Sequence, residues 1–238
     1  MNYKVYIPSK GRAGLVTSHK LFINSTIVCP NSEIDDYKSH HDNVIGVPDK
    51  VRGITATRNW ILDNVKDEWM IQVDDDARSF HKYENGDLIK FIEPERIGVF
   101  LDAMFCMTNE IQYKVWGLAM ASDYKFYRPF APFSTQSVVG ANIIGIIKNP
   151  LRFDERLKVK EDYDYSMQHI YKYGGVLRTH KYGIDVVHLT NQGGCVAYRT
   201  KDIEIDCYNI LVNKWGKNVV KRQENKNFLK MSSPRKGI

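Results

Sequence analysis

Short apolar runs recur along the first third of the chain, and each stops in a polar, turn-forming stretch. KVYI (4–7) runs into PSKGRAG, TIVC (26–29) into PNSE, and NVIGV (43–47) into PDKVRG. Then Ile54, Ile61, Leu62 and Val65, in and around TATRNWILDNV, fall at helical spacing, and WMIQV (69–73) follows as the next extended run. Apolar runs of four or five residues bounded by Gly, Pro and Asn predict buried strands. Their alternation with helical segments predicts a mostly parallel sheet covered by helices on both faces.

The second half is less regular. PERIGVFLDAMFCMTNEI has apolar residues at 97, 100, 101, 104, 105 and 111 and opens on Pro94 and Glu95, which predicts a helix. KVWGLAM and SVVGANIIGII predict strands. EDYDYSMQHIYKYGG predicts a helix with acids in its first turn and Gly174 and Gly175 at its end. VLRT and DVVHL predict two further short strands, after which NQGG breaks the pattern. With no internal repeat and no low-complexity linker, the simplest partition is one α/β domain over residues 1–213 and an extension over 214–238.

Composition narrows the class. With 43% hydrophobic and 26% charged residues among 238, the chain needs no disordered class. The N-terminus lacks a basic segment followed by an apolar stretch, and no window nears eighteen uninterrupted apolar residues, so a soluble, cytoplasmic protein with no membrane partner is expected. Cys29, Cys106, Cys195 and Cys207 form no CxxC pair, which disfavours a thiolate zinc site or a disulfide framework. The net charge of +6 is unevenly placed: from Lys214 to the end, eight basic residues face one acid, leaving the rest of the chain at −1. A basic terminal segment beside a near-neutral body suits a polyanion, although short basic tails are also simply solvated. Lys214, Lys217, Lys221 and Arg222 are its candidate nucleic-acid contacts.

Against this background WMIQVDDDAR (69–78) stands out. Folding alone gives no reason to cluster Asp74, Asp75 and Asp76, because like charges repel and each is costly to desolvate; a cation does. Oxygen ligands suit Mg²⁺ or Mn²⁺, ions that keep waters and bridge to phosphates. In an extended segment Asp74 and Asp76 point one way and Asp75 the other. A surface turn or a helix cap would also accept Asp, but the apolar strand directly before favours a metal. In an open α/β sheet ligands bind beyond the carboxyl ends of the strands, which puts PSKGR, PDKVRG and VDDDA on one rim with Lys10, Arg12, Lys50, Arg52 and Arg58. In EDYDY (161–165), Asp162 at a helix N-terminus is a candidate general base, with plain capping as the alternative. His188, ending DVVHL, can complete an oxygen-rich metal site or serve as a hydrogen-bonded structural residue. The run DYKFYRPFAPF offers Tyr124, Phe126, Tyr127, Phe130 and Phe133 as stacking surfaces or as an apolar plug.

Taken in order, IPSKGR, GITATRNWILDN, WMIQVDDDA, VVGANIIGI, KEDYDYSMQ and VVHL resemble the GT-A nucleotide-sugar glycosyltransferases of the family 2 type, over roughly residues 3–195. YIPSKGR with KEDYDYSMQHIYKYGG is similar to the TET-associated glycosyltransferases, found largely in bacteriophages and implicated in glycosylating hydroxymethylated pyrimidines in DNA. The resemblance implies a GT-A-like single mostly parallel central sheet flanked by helices. It implies that Pro8, Ser9, Lys10, Arg12, Arg58, Asp74 and Asp75 bind the nucleotide-sugar, with Asn59 beside Arg58 in an ARN-like element. Asp74, Asp76 and His188 are implied for Mn²⁺ or Mg²⁺. The triplet DDD departs from the family's D-x-D, which leaves open which aspartates touch the metal. Asp162 is implied as the base of an inverting reaction, with Asp164 as its competitor. The implied reaction moves a sugar, glucose first among candidates, from a UDP-sugar to 5-hydroxymethyluracil or 5-hydroxymethylcytosine in double-stranded DNA. The alternatives are a GT-A enzyme acting on a glycan, a lipid-linked sugar or a protein, a sugar-1-phosphate nucleotidyltransferase, and a non-catalytic DNA-binding protein on the same fold.

Overall fold

The computed structural model describes residues 2–119, 127–186, 199–222 and 229–231. Its centre is a ten-stranded sheet. The strands are β1 (Tyr3–Pro8), β2 (Ser25–Pro30), β3 (Val44–Val47), β4 (Trp69–Val73), β5 (Ala77–Glu84), β6 (Asp87–Phe91), β7 (Val115–Ala119), β8 (Phe133–Ser134), β9 (Ile143–Ile147) and β10 (Leu177–Val186). They lie in the order β3-β2-β1-β4-β9-β7-β10-β5-β6, with β8 added on β10. Strands β1 to β4 are mutually parallel, while β9 runs against both β4 and β7. The pairings set β5, β8 and β9 against the other seven strands.

The helices are α1 (Ile34–Lys38), α2 (Ile54–Asn64), α3 (Pro94–Glu110), α4 (Glu161–Tyr173) and α5 (Lys201–Trp215). Strand alternation sorts side chains to two cores. Val5, Ile7, Ile71, Val73, Ile143 and Ile147 pack with Ile97, Leu101 and Phe105 of α3 on one face. Tyr6, Met70, Ile144 and Ile146 pack with Ile61 and Leu62 of α2 and Met167 and Ile170 of α4 on the other. Burial on both faces is why these strands read as unbroken apolar runs. On the first face Gly145 leaves room for Trp116: a Cβ atom there would lie 1.9 Å from the indole ring, so only glycine fits.

Several expectations need correction. LRT of VLRT and the first two residues of DVVHL, Asp185 and Val186, belong to one strand, β10, which pairs with β7 through Thr179 and with β5 from Tyr182 onward; residues 187–189 lie outside the described residues. An irregularity in register between Thr179 and Gly183 absorbs the polar residues that looked like a break. SVVGANIIGII contributes only β9. The hairpin β5–β6 went unread because its half-buried strands are rich in polar residues; its turn, Asn85 and Gly86 at φ 54° and 90°, is the Asn-Gly signal of a tight hairpin. The expected boundary between residues 213 and 214 falls inside α5. This helix closes a third core of Leu157, Val159, Cys207, Leu211 and Val220, which also takes in the first residue of a small hairpin, β11 (Val220–Arg222) and β12 (Leu229–Met231). Cys29 and Cys207 are buried thiols, no disulfide forms among the described residues, and Cys195 lies outside them.

Candidate active site

Strands β1 and β4 are neighbours, so the turns at their carboxyl ends meet. Pro8 ends β1; Ser9 and Arg12 follow and hold Asp75 from both sides. Ser9 Oγ donates to Asp75 Oδ2 at 2.5 Å, and Arg12 Nη1 donates to Oδ1 at 2.8 Å. Tyr37 of α1 lies 2.7 Å from Ser9 Oγ through its hydroxyl, which also accepts from Arg12 N at 3.1 Å. The backbone of the acidic turn is gripped as firmly. Thr17 N donates to Asp75 O, Ser18 Oγ donates to Asp74 O while accepting from Ala77 N, and Asp74 N donates to Asn142 O. Asp75 is therefore an internal lock between two turns, with both carboxylate oxygens occupied. Lys10 stands exposed on the same turn, close enough for its charge to act on Asp49 in the turn after β3.

Asp74 faces the other way. Arg58 Nη2 donates to Asp74 Oδ1 and to Ala141 O, each at 2.9 Å, and Arg58 Nε lies 3.7 Å from Glu161 Oε1. Arg58 is 1% exposed, so it lies behind the acidic turn, without the open face expected of a donor contact. Asn59 is likewise internal: it exchanges two hydrogen bonds with the backbone of Phe153 and donates to Glu155, fixing the loop that leads to α4. Thr55 Oγ1 adds a bond to Leu157 O. Residues of α2 that read as donor contacts thus join the two acidic clusters of the chain.

The second cluster sits where α4 begins. Asp162 accepts from Ala141 N at 3.1 Å and from Tyr163 N at 2.9 Å, next to the Asn142 backbone that carries Asp74. Asp164 is fully buried and accepts from Trp215 Nε1 at 2.8 Å, Lys214 Nζ at 2.8 Å and Gln168 Nε2 at 2.7 Å. It has no face left for a substrate proton, which removes it as competitor to Asp162.

The electrostatics follow from this crowding. Burial raises the Asp162 carboxyl, against the two backbone N–H groups and Arg58, which favour its ionised form. Glu161 is pushed up to about 7 by burial and by Asp162 beside it. Asp76 is pushed up to about 6, by burial first and then by Asp74 and Asp75. Asp74 is raised by desolvation, with Arg58 opposing; as 38% of its side chain is exposed, solvent screens part of that effect. Asp74 and Asp76 are thus under-neutralised carboxylates on an immobile turn, the donor chemistry that hard divalent cations accept. Among the described residues no three His, Cys, Asp or Glu side chains form a metal cage. A Mg²⁺ or Mn²⁺ ion fits here in its usual manner, on one or two carboxylates with the remaining positions left to phosphate oxygens and water. His188 lies outside the described residues, as do Tyr124 and Phe126.

Sequence patterns alone missed Tyr37, in the short helix α1, and Glu33 just before it, whose Oε2 accepts from Gly11 N at 2.7 Å. Glu161 was read as part of the acidic start of α4, but its approach to Arg58 was not. Tyr127 stacks on Tyr83 with centroids 5.8 Å apart, while Phe130 and Phe133 are 86% and 42% exposed. Of the basic candidates, Lys214 is engaged by Asp164 and Asp154, Lys217 and Lys221 are exposed, and Arg222 ends β11. Among the described residues no helix is long and apolar enough to cross a membrane.

Residues 3–194 match the model of the TET-Associated Glycosyltransferase family. Among curated protein sequences none matches significantly. Several solved structures share the fold. Glucosyl-3-phosphoglycerate synthase from Mycobacterium tuberculosis, in complex with Mn²⁺, UDP-glucose and phosphoglyceric acid, superposes with a TM-score of 0.54 at 10% identity, covering 98% of this chain and 86% of that one. S. aureus TarS 1-349 in complex with UDP-GlcNAc gives 0.53 at 15% identity, covering 89% and 66%. The mannosyltransferase PcManGT from Pyrobaculum calidifontis, with GDP-Man and Mn²⁺, gives 0.53 at 13% identity, covering 91% and 64%. The chain therefore spans less than two thirds of the length of the latter two. At these identities the likeness concerns architecture, which is the GT-A fold.

Proposed function

Because this chain belongs to the TET-associated glycosyltransferase family, we propose that it transfers a sugar from a UDP-sugar to the hydroxymethyl group of a 5-hydroxymethylpyrimidine in double-stranded DNA, with inversion. The observation that carries the catalytic part is the convergence of two acidic clusters some ninety residues apart in sequence, bridged by Arg58 between Asp74 and Glu161. A further support is that the three structures of like fold named above are each complexes with a nucleotide-sugar.

On this reading the turn of Ser9, Lys10 and Arg12 and the turn of Asp74 and Asp76 receive the donor diphosphate. Asp74 and Asp76 would hold a divalent cation, which would supply charge neutralisation for the leaving diphosphate. Asp75 keeps the two turns in register through Ser9 and Arg12. Asp162 takes the proton of the acceptor hydroxyl as that oxygen attacks the anomeric carbon; the bond from that carbon to the diphosphate breaks, and UDP departs with the electron pair. Burial makes Asp162 a stronger base than a solvated aspartate, and the amides of Ala141 and Tyr163 hold its orientation. Lys217, Lys221 and Arg222 are assigned to DNA phosphates, and Phe130 and Phe133 to a base turned out of the duplex.

The test is nucleoside mass spectrometry after incubation with UDP-glucose, Mn²⁺ and duplexes containing 5-hydroxymethyluracil, 5-hydroxymethylcytosine or thymine. A gain of one hexose on a hydroxymethylated base alone is expected. No gain across a panel of UDP-sugars, with the donor still hydrolysed or bound, would overturn the DNA acceptor and leave a transferase for a glycan, lipid-linked sugar or protein.

A further inference from the structure

We propose that α5 is a positioning brace for Asp162, gripping α4 at two points: Glu204 on Lys160 and the Lys214–Trp215 pair on Asp164. The proposal rests on Asp162 being the base. Lys160 immediately precedes α4 and is held at φ 64° and ψ 23°, a left-handed conformation that a residue with a Cβ rarely adopts. No side chain caps the helix there. The next two residues are adjacent buried carboxylic acids close to Asp74, so the first turn carries repulsion that the Tyr163 amide and Arg58 offset only in part. Lys160 is itself buried, and its ammonium meets Glu204 Oε2 at 2.9 Å; Glu204 is in turn held by Arg199 at 2.6 Å. Thr200 caps α5 by accepting from Ile203 N, which fixes the end of the helix that carries Glu204.

The second grip is on the opposite face. Two residues along a helix are about 200° apart, so Asp164 points away from the face on which Asp162 meets Ala141. There Trp215 Nε1 and Lys214 Nζ, both at 2.8 Å, close on it from the last turn of α5, and Lys214 also reaches Asp154 in the loop before α4. Between the two grips lies the apolar contact of Leu157 and Val159 with Cys207 and Leu211. A helix seized at both ends of its first turn, from behind, can present Asp162 forward despite the charge it faces. Residues of α5 touch neither reacting atoms nor the acidic turn, so their role is transmitted through backbone placement.

Two substitutions separate placement from mere stability. Glu204→Ala frees Lys160, and Trp215→Phe keeps ring packing while removing one hydrogen bond. Each is expected to lower turnover about tenfold or more, the scale of sub-ångström misplacement of a reacting group. Turnover is read as UDP release from UDP-glucose with Mn²⁺ and acceptor duplex. Donor affinity by calorimetry should stay within about twofold, since the donor turns are untouched. Amide hydrogen exchange over residues 161–164 should accelerate while that of β4 and the 74–76 turn does not, and Glu204→Asp should restore most of both properties. Unchanged exchange at 161–164 in both variants would overturn the brace, as would unchanged turnover with Asp162→Asn inactive. An Asp162→Asn enzyme with full turnover would instead overturn the base assignment, while exchange still reports on the brace. If Glu204→Ala does not fold, Trp215→Phe carries the same two readouts.

Discussion

The acidic turn at 74–76 and the acidic helix start at 161–164 are built alike. In each, one carboxylate is tied down inside the protein: Asp75 by Ser9 and Arg12, Asp164 by Lys214, Trp215 and Gln168. In each, its neighbours are left short of positive charge, and Asp74, Asp76, Glu161 and Asp162 all stand above the ordinary carboxylate range. They differ in what surrounds the free members. Asp74 is open enough to share with a cation, whereas Asp162 is nearly enclosed and held by backbone amides. The lesson is that an acidic run need not act as a unit, because one member can anchor the chain so that another can do chemistry.

The largest expected effect comes from removing the working carboxylate of each cluster. Asp162→Asn should lower turnover by about 10³-fold, within the range for a general base, with donor affinity retained. Asp76→Asn should instead abolish metal-dependent donor uptake in calorimetry. Equal loss of donor binding in both would erase the distinction between the clusters. Removing the anchors comes next. Asp164→Ala removes the acceptor of Trp215 and one of the two carboxylates on Lys214, and Asp75→Ala removes the carboxylate that Arg12 donates to; each should destabilise the fold by about 3 kcal/mol in urea unfolding. A change near zero for either would show that its neighbours do not depend on it.

A smaller effect should appear in the pH dependence of stability without metal or donor. The folded protein holds the Glu161 proton up to about 7, while the unfolded chain releases it near the ordinary glutamate value of 4.5. Between those limits the folded state binds more protons, so stability from this group falls as pH rises. Glu161→Gln should therefore match wild type below about pH 4.5 and gain on it steadily as pH rises to about 7, read from paired melting curves. A constant difference across the window would refute the shift. The smallest effect concerns the basic end of the chain. Lys221→Gln should weaken binding to duplex DNA a few-fold and reduce the salt slope by about 1, whereas Lys214→Met should alter stability more than DNA affinity.

Much of the fold was legible because its strands are buried on both faces and so stand out as apolar runs. WMIQV coincides with β4, and Pro94 marks the start of α3. The acidic turn was legible for a related reason: three adjacent like charges stand out directly after a buried apolar strand. What escaped had weaker local signals. The hairpin β5–β6 lies at the sheet margin and its outer strand is exposed, and α5 went unread apart from its last two residues, which were counted into the basic tail. Arg58 and Asn59 looked like ligand contacts because Arg and Asn seldom lie inside unless paired, and their partners, Asp74, Ala141, Phe153 and Glu155, are scattered along the chain.

By itself the sequence determined the alternation of strands and helices, the rim on which ligands would gather, and the two acidic runs, since each of these depends on residue type and local periodicity. Only the tertiary structure decided which carboxylate in each run is an anchor and which is free. That choice depends on partners delivered from tens of residues away, Arg12 to Asp75, Arg58 to Asp74 and Trp215 to Asp164, and a charge's role follows from its neighbours in space.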